Sequence, residues 1–263
     1  MSRLADAIAG AEPTEGKTIA ATDMTTSPAR AAAPDRARLG AALSCIALTL
    51  PLWAMGARLE DRAPAADPAL LLAAWAAVSL LIVAGMRGHP HRRFGPANAL
   101  TALRAAGTLL LAAVALDPAP GLTVAATAAG LTILCLDGID GALARRTGLA
   151  SAFGARFDVE VDAALTLALS ILAWRAGPAG PAILALVAPY YAFSILRVAW
   201  PRFARPLPPS LARKAVCVLQ VATPLALLAL PLPGTVAVTL VWTCLVAILI
   251  SFGRDIAHLA YDR

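Results

Sequence analysis

Eight apolar runs follow one another along the chain, at about 39–57, 69–86, 96–116, 122–144, 152–175, 181–200, 212–231 and 235–253. A helix needs roughly 20 mostly apolar residues to cross a bilayer, within a range of about 17–25. Each run meets that length, and no long strand pattern appears beside them. Proline and glycine punctuate the series, as at Pro118 to Gly121, Gly177 to Gly180 and Pro231 to Gly234. The fold class this predicts is an all-α integral membrane protein. Composition agrees: 59% of residues are hydrophobic, only 14% are charged, and the mean hydropathy is +0.73. A water-soluble domain carries about 25% charged residues.

Three parts are expected. Residues 1–38 are polar and mixed in charge, without the apolar core of a signal peptide, and read as a disordered cytosolic tail. Residues 39–86 hold two helices that contain almost no ionisable group. Residues 87–263 hold six more, after the basic seam RGHPHRRFG. With the tail in the cytosol, the inside loops carry Arg87, Arg92, Arg93, Arg145, Arg146, Arg202, Arg205, Arg213, Lys214 and Arg254. The outside ends carry Arg58, Arg62 and Arg175. That bias follows the positive-inside rule. The heavy use of Ala and Arg suggests a bacterial genome, hence a multi-pass protein of the bacterial inner (cytoplasmic) membrane.

The same composition excludes several classes. A disordered chain would be poor in apolar residues. Cys45, Cys135, Cys217 and Cys244 each stand alone in an apolar run, so neither a disulfide framework nor a Cys-based metal site is expected. The net charge of +6 fits an anionic membrane surface. With 5% aromatics and no basic stretch interleaved with them, no nucleic-acid partner is expected. His89 and His91 read as residues of a solvated basic loop.

Carboxylates inside membrane helices are costly and mark functional sites by default. Five fall within 26 residues: Asp137, Asp140, Asp158, Glu160 and Asp162. They straddle the end of one predicted helix and the start of the next. Asp137 and Asp140 are spaced i, i+3, and Asp158 and Asp162 are spaced i, i+4, so each pair shares a helix face. Glu160 points elsewhere. Antiparallel neighbours joined by a short loop can bring the two faces together. Four converging carboxylates repel one another and require cations. All-oxygen ligation suits Mg²⁺, Mn²⁺ or Ca²⁺ rather than Zn²⁺. Two such ions would neutralise the cluster and leave room for a phosphate group. The small residues Gly138, Gly141, Ala142 and Ala144 allow either close helix packing or ligand approach.

Asp137, Asp140, Gly141, Ala144, Arg145, Gly154, Asp158 and Asp162 follow the pattern D-x2-D-G-x2-A-R-x8-G-x3-D-x3-D at every fixed position. This block resembles the signature of the CDP-alcohol phosphatidyltransferase family. The stretch Pro96 to Arg104 is similar to the P-N-x-L-T-x-x-R opening of that family's first core helix, with one inserted residue between Pro96 and Asn98. The resemblance extends in weaker form over residues 95–255. It implies a six-helix catalytic core at 87–263, with two additional helices before it. It implies transfer of a phosphatidyl group from a CDP-linked donor, usually CDP-diacylglycerol, to an alcohol acceptor, with release of CMP. It also implies Mg²⁺ or Mn²⁺, two ions, held by Asp137, Asp140, Asp158 and Asp162, with Asp162 as general base. Gly141, Ala144, Arg145 and Gly154 would border the cytidine diphosphate, together with Asn98 and Thr101. A homodimer at the membrane, with the site at the cytosolic face, is the arrangement of its relatives.

The signature does not encode the acceptor. Arg104, Arg197, Arg213 and Lys214 are candidates to meet an acceptor phosphate. Arg104 and Arg197 have a second reading, as partners of the acidic cluster or of lipid headgroups, and Arg213 and Lys214 as ordinary membrane anchors. Arg156 reads as a counter-ion to Glu160 or Asp158. Glycerol 3-phosphate or inositol phosphate suits this basicity, and serine remains open. Two alternatives stand beside this reading. One is a CDP-amino-alcohol:diacylglycerol phosphotransferase. The other is a cation transporter using the aspartates, although the acids lie at one end of their helices and no internal repeat is evident.

Overall fold

In a computed structural model, the described residues are 33–87, 89–200, 203 and 210–261. The tail expected at the N-terminus falls, over residues 1–32, outside them, as do Arg202 and Arg205. Helix is already present at Ala33, before the boundary expected at residue 38.

Eight α-helices and no strand occur among the described residues. They are α1 (Ala33–Leu59), α2 (Pro68–Gly85), α3 (Pro96–Leu116), α4 (Pro120–Thr147), α5 (Ala152–Ala176), α6 (Ala188–Ala199), α7 (Leu211–Ala229) and α8 (Gly234–Tyr261). Each apolar run corresponds to helical structure. Six helices, α1 to α4, α7 and α8, are long and apolar enough to cross a membrane. The protein is an all-α, multi-pass membrane protein. α5 is also long, but Arg156, Asp158, Glu160 and Asp162 in its first half lower its hydropathy.

The run at 181–200 departs from expectation. It is a 3₁₀ segment, Pro181–Leu186, followed by the 12-residue α6. Pro189, in the first turn of α6, has no N–H to bond back across the junction, which weakens a continuous helix there. The interruption does not strand its backbone. The buried Gln220 side chain donates from Nε2 to the Leu186 carbonyl at 2.9 Å.

Local chemistry sets the helix ends. Pro68, Pro96 and Pro120 open α2, α3 and α4, where a missing N–H costs nothing. Asp67 accepts from the Leu70 N–H at 2.8 Å, and Ser151 from the Gly154 N–H at 3.0 Å. Gly148 ends α4 in the left-handed region at φ +67°, which lets the chain reverse into α5 within four residues.

Packing relies on small residues, as expected where lipid removes the hydrophobic drive between helices. α3 is central, lying against α1, α4 and α5. Its Ala102, Ala106, Ala113 and Ala115 are buried. Where α4 passes α5, a Cβ on Gly130 would stand 2.7 Å from Leu169 Cδ2. α1 and α2 form a hairpin tied by Trp75, whose buried indole donates to the Cys45 carbonyl at 3.1 Å. All four cysteines are free thiols.

The loops sort to two ends. At one, the Ala65 N–H donates to Asp117 Oδ2 at 2.9 Å, and Arg62, Asp117 and Arg175 line a common cleft. At the other, His91 Nε2 meets the Ala150 carbonyl at 2.9 Å, joining the 86–95 loop to the α4–α5 turn. His91 stays partly exposed on this loop, but His89 is not solvated. His89 is 6% exposed, contacts the Arg93 carbonyl through Nε2 and stacks edge-on to Phe153. The loop folds back over the start of α5, and Phe153 covers the ring.

Candidate active site

The Gly148 turn places the end of α4 beside the start of α5, and both face the first half of α3. Asp137 and Asp140 come from α4, Asp158 and Asp162 from α5. One carboxylate oxygen from each of Asp137, Asp158 and Asp162 lies within 4.8 Å of the other two. These three side chains are each about a third exposed. Asp140 sits deeper, at 4% side-chain exposure.

Arg104 fills the middle. Its side chain is fully buried. Nη1 donates to Asp140 and to Asp158, each at 2.6 Å. Nη2 pairs with Asp137 at 2.9 Å and also donates to Asp162. The planar guanidinium suits such forked contacts, which the point charge of a lysine does not. Thr101, one turn earlier on α3, directs its hydroxyl at Asp140 Oδ2, 3.1 Å away, with the Ala97 carbonyl as an alternative acceptor for the same proton. Four carboxylates and one guanidinium leave a formal charge of 1 − 4 = −3 at this junction.

That donor set fits a hard divalent cation. Three convergent carboxylate oxygens, partly open to solvent and only partly neutralised, match the oxygen ligation of Mg²⁺ and Mn²⁺, and no soft ligand stands among them.

The model of the family CDP-alcohol phosphatidyltransferase matches residues 94–250. The chain belongs to the CDP-alcohol phosphatidyltransferase family. No curated protein and no solved structure matches it. Family membership makes this a transferase that moves a phosphatidyl group from a CDP-alcohol. The matched segment begins in the seam before α3 and ends within α8, so α1 and α2 lie outside it.

Within this phosphatidyltransferase the remaining motif residues divide. Gly138 has open space where a Cβ would stand, and at Gly141 the nearest atom is Arg145 Nη1, 3.4 Å away. That face of α4, with the half-buried Ala144 and the exposed Arg145, is accessible to a ligand. Gly154 differs. A Cβ there would stand 2.7 Å from Asn98 Oδ1 and 3.3 Å from Ser151 Oγ. Asn98, itself expected beside the nucleotide, stands against Gly154, so this glycine also lets α5 close onto α3. Asn98 is itself buried and donates from Nδ2 to the Phe94 carbonyl.

The basic candidates scatter. Arg104 is the partner of the aspartates rather than a free cation awaiting an acceptor. Arg213, at the start of α7, makes a two-point ion pair with Asp255 of α8, at 3.0 and 3.2 Å. Lys214 and Arg197 are exposed and make no ion pair among the described residues. Arg156 is exposed and pairs with neither Glu160 nor Asp158 there. It sits on a different face of α5 from Asp158, because two residues along a helix turn the side chain by about 200°. Glu160 has instead the Tyr190 hydroxyl of α6 within hydrogen-bonding reach, with Ser194 beside it. Sequence reasoning missed this contact and the role of Asp255. Each joins residues 30 or more positions apart, beyond the range of helical spacing.

Proposed function

We propose that this protein transfers the phosphatidyl group of CDP-diacylglycerol to an alcohol, releasing CMP, as a step in phospholipid biosynthesis. The observation that carries the reading is the −3 junction of four aspartates around Arg104, in a chain of this family.

Phosphoryl transfer depends on positioning and on neutralising charge at the phosphate oxygens. Two Mg²⁺ or Mn²⁺ ions, held by Asp137, Asp140, Asp158 and Asp162, supply that positive charge when bound. The chain's own residues do the rest. Gly141 and Ala144 leave the α4 surface open for the cytidine diphosphate, and Arg145 meets its phosphates. Thr101 and Arg104 hold Asp140 in place. Asp162 accepts the proton of the acceptor hydroxyl. The acceptor oxygen forms a bond to the phosphorus of the phosphatidyl group. The bond from that phosphorus to the bridging oxygen breaks, and CMP leaves with the electron pair.

A lipid donor explains the placement of the site near one end of the helices. Its tails remain in the bilayer while its headgroup enters from water. The excess of Arg and Lys in the loops at that end supports a cytosolic placement of the site, and the Ala- and Arg-rich composition supports a bacterial inner membrane. Lys214 and Arg197 are the exposed cations available to a phosphorylated acceptor such as glycerol 3-phosphate or inositol phosphate.

The test is CMP release by the detergent-purified protein with CDP-diacylglycerol and Mg²⁺. The acceptors offered singly are glycerol 3-phosphate, inositol phosphate, inositol, serine and choline. CMP with one of them supports the reading and names the acceptor. CMP only from CDP-choline or CDP-ethanolamine with diacylglycerol replaces it with the reversed branch. Cation flux in liposomes without CMP release overturns it.

A further inference from the structure

A cavity of about 960 Å³ opens between α2, the 86–95 loop, α3 and α5, with Tyr191 of α6 at its edge. It is not the aspartate site. On α5 it is lined by Phe153, Arg156, Phe157, Glu160, Ala164 and Leu167, among others. Those positions centre roughly 180° around the helix from Asp158 and Asp162, at 3.6 residues per turn. One wall is α2, which lies outside the family match.

The cavity is polar at one end only. Arg87, His89, Arg156 and Glu160 ring its mouth, and below them the walls are Val78, Leu81, Leu109, Ala112, Leu167 and Ile171. From Glu160 to Ile171 the helix rises about 16 Å, roughly half of a 30 Å hydrocarbon core. That is the depth of one leaflet.

Two residues that line this space, His89 and Thr108, each carry a buried polar atom without a hydrogen-bond partner. His89 Nδ1 belongs to a residue 6% exposed, and Thr108 Oγ1 to one 4% exposed. Such groups are costly unless something meets them. Burial lowers the pKa of His89, against a smaller raising effect from the Arg93 carbonyl, and keeps the ring neutral. With Nε2–H donating to that carbonyl, Nδ1 is an acceptor. Arg87 and Arg156 make no ion pair among the described residues. With Glu160 they leave one net positive charge at the mouth, 2 − 1 = +1.

We infer that the seam between α2 and the core is a binding site for one anionic phospholipid of the surrounding leaflet. Its phosphate lies at Arg87 and Arg156, and its acyl chain occupies the apolar slot. This lipid is a resident of the fold and not the reacting donor, and the inference does not rest on the identity of the reaction.

Native mass spectrometry of the full chain in detergent tests it, with phosphatidylglycerol and phosphatidylcholine as probes. One phosphatidylglycerol should be retained in preference to phosphatidylcholine. Replacing Arg87 and Arg156 together by Gln should weaken that retention about tenfold or more, at about 1 kcal/mol per interfacial cation. Ala164→Trp, which fills the slot, should abolish it, and Asp162→Asn should leave it intact. A melting curve identifies any variant that fails to fold. Equal retention of both lipids, unaffected by Arg87→Gln/Arg156→Gln, would mean a non-specific lipid shell and overturn the site. Displacement of phosphatidylglycerol by one equivalent of CDP-diacylglycerol would also overturn it, by making the slot part of the donor site.

Discussion

Arg104→Met removes the only cation bonded to the four aspartates among the described residues. Asp137, Asp158 and Asp162 have side chains 34%, 34% and 38% exposed, so water compensates them in part. Asp140, at 4%, keeps only the Thr101 hydroxyl. Breaking a buried ion pair by deleting one partner costs about 3–5 kcal/mol. The cost should come mainly from Asp140. For chains of this size about 1 kcal/mol moves the melting temperature by roughly 2–4 °C, so a fall of roughly 6–20 °C is expected in EDTA. Mg²⁺ supplies charge to the same carboxylates, so saturating Mg²⁺ should recover much of the loss. The assay is a thermal melt in detergent of wild type and variant, each with EDTA and with Mg²⁺. A variant that melts with the wild type in EDTA would refute the counter-ion role of Arg104. A deficit that Mg²⁺ leaves unchanged would refute the link between that role and metal.

Gly154→Ala drives a methyl to 2.7 Å from Asn98 Oδ1 and should destabilise by about 1–3 kcal/mol; Asn98→Ala in the same chain should relieve part of it, read as a coupling in a double-mutant melt. Arg213→Gln breaks the half-buried pair with Asp255 between α7 and α8 and should cost about 1 kcal/mol, with KM for the acceptor unchanged, whereas Lys214→Gln should raise that KM and spare stability. Chelation should abolish turnover, and Mg²⁺ or Mn²⁺ should restore it; full activity in excess EDTA would remove the metal from the mechanism.

Much of this was legible because it is local. Apolar runs of spanning length gave the helices, and spacings of three and four residues put the aspartates on shared faces of α4 and α5. The reversal between α4 and α5 followed from a short loop between two predicted helices, although the left-handed Gly148 that makes it was not singled out. What sequence left open is long-range. Arg104 could serve an acceptor or the acidic cluster, and only the approach of α3 to α4 and α5 decides for the cluster. Gly154 read as space for a nucleotide, and nothing in its neighbourhood reveals that Asn98, 56 positions away, packs against it. The break before α6 was written in Pro189 but concealed by the continuous hydropathy around it. The pairing of Arg213 with Asp255 and the burial of His89 under Phe153 depend on contacts that no periodicity encodes.

The most direct measurement is CMP release by wild type and by Asp162→Asn, alongside binding of the CDP donor to each. Asp162 touches Arg104 through one oxygen and, like Asp137 and Asp158, is about a third exposed. The expected result is CMP from the wild type, none above background from the variant, and donor binding retained by both. Undiminished CMP release by Asp162→Asn would contradict the assignment of this junction as the catalytic centre.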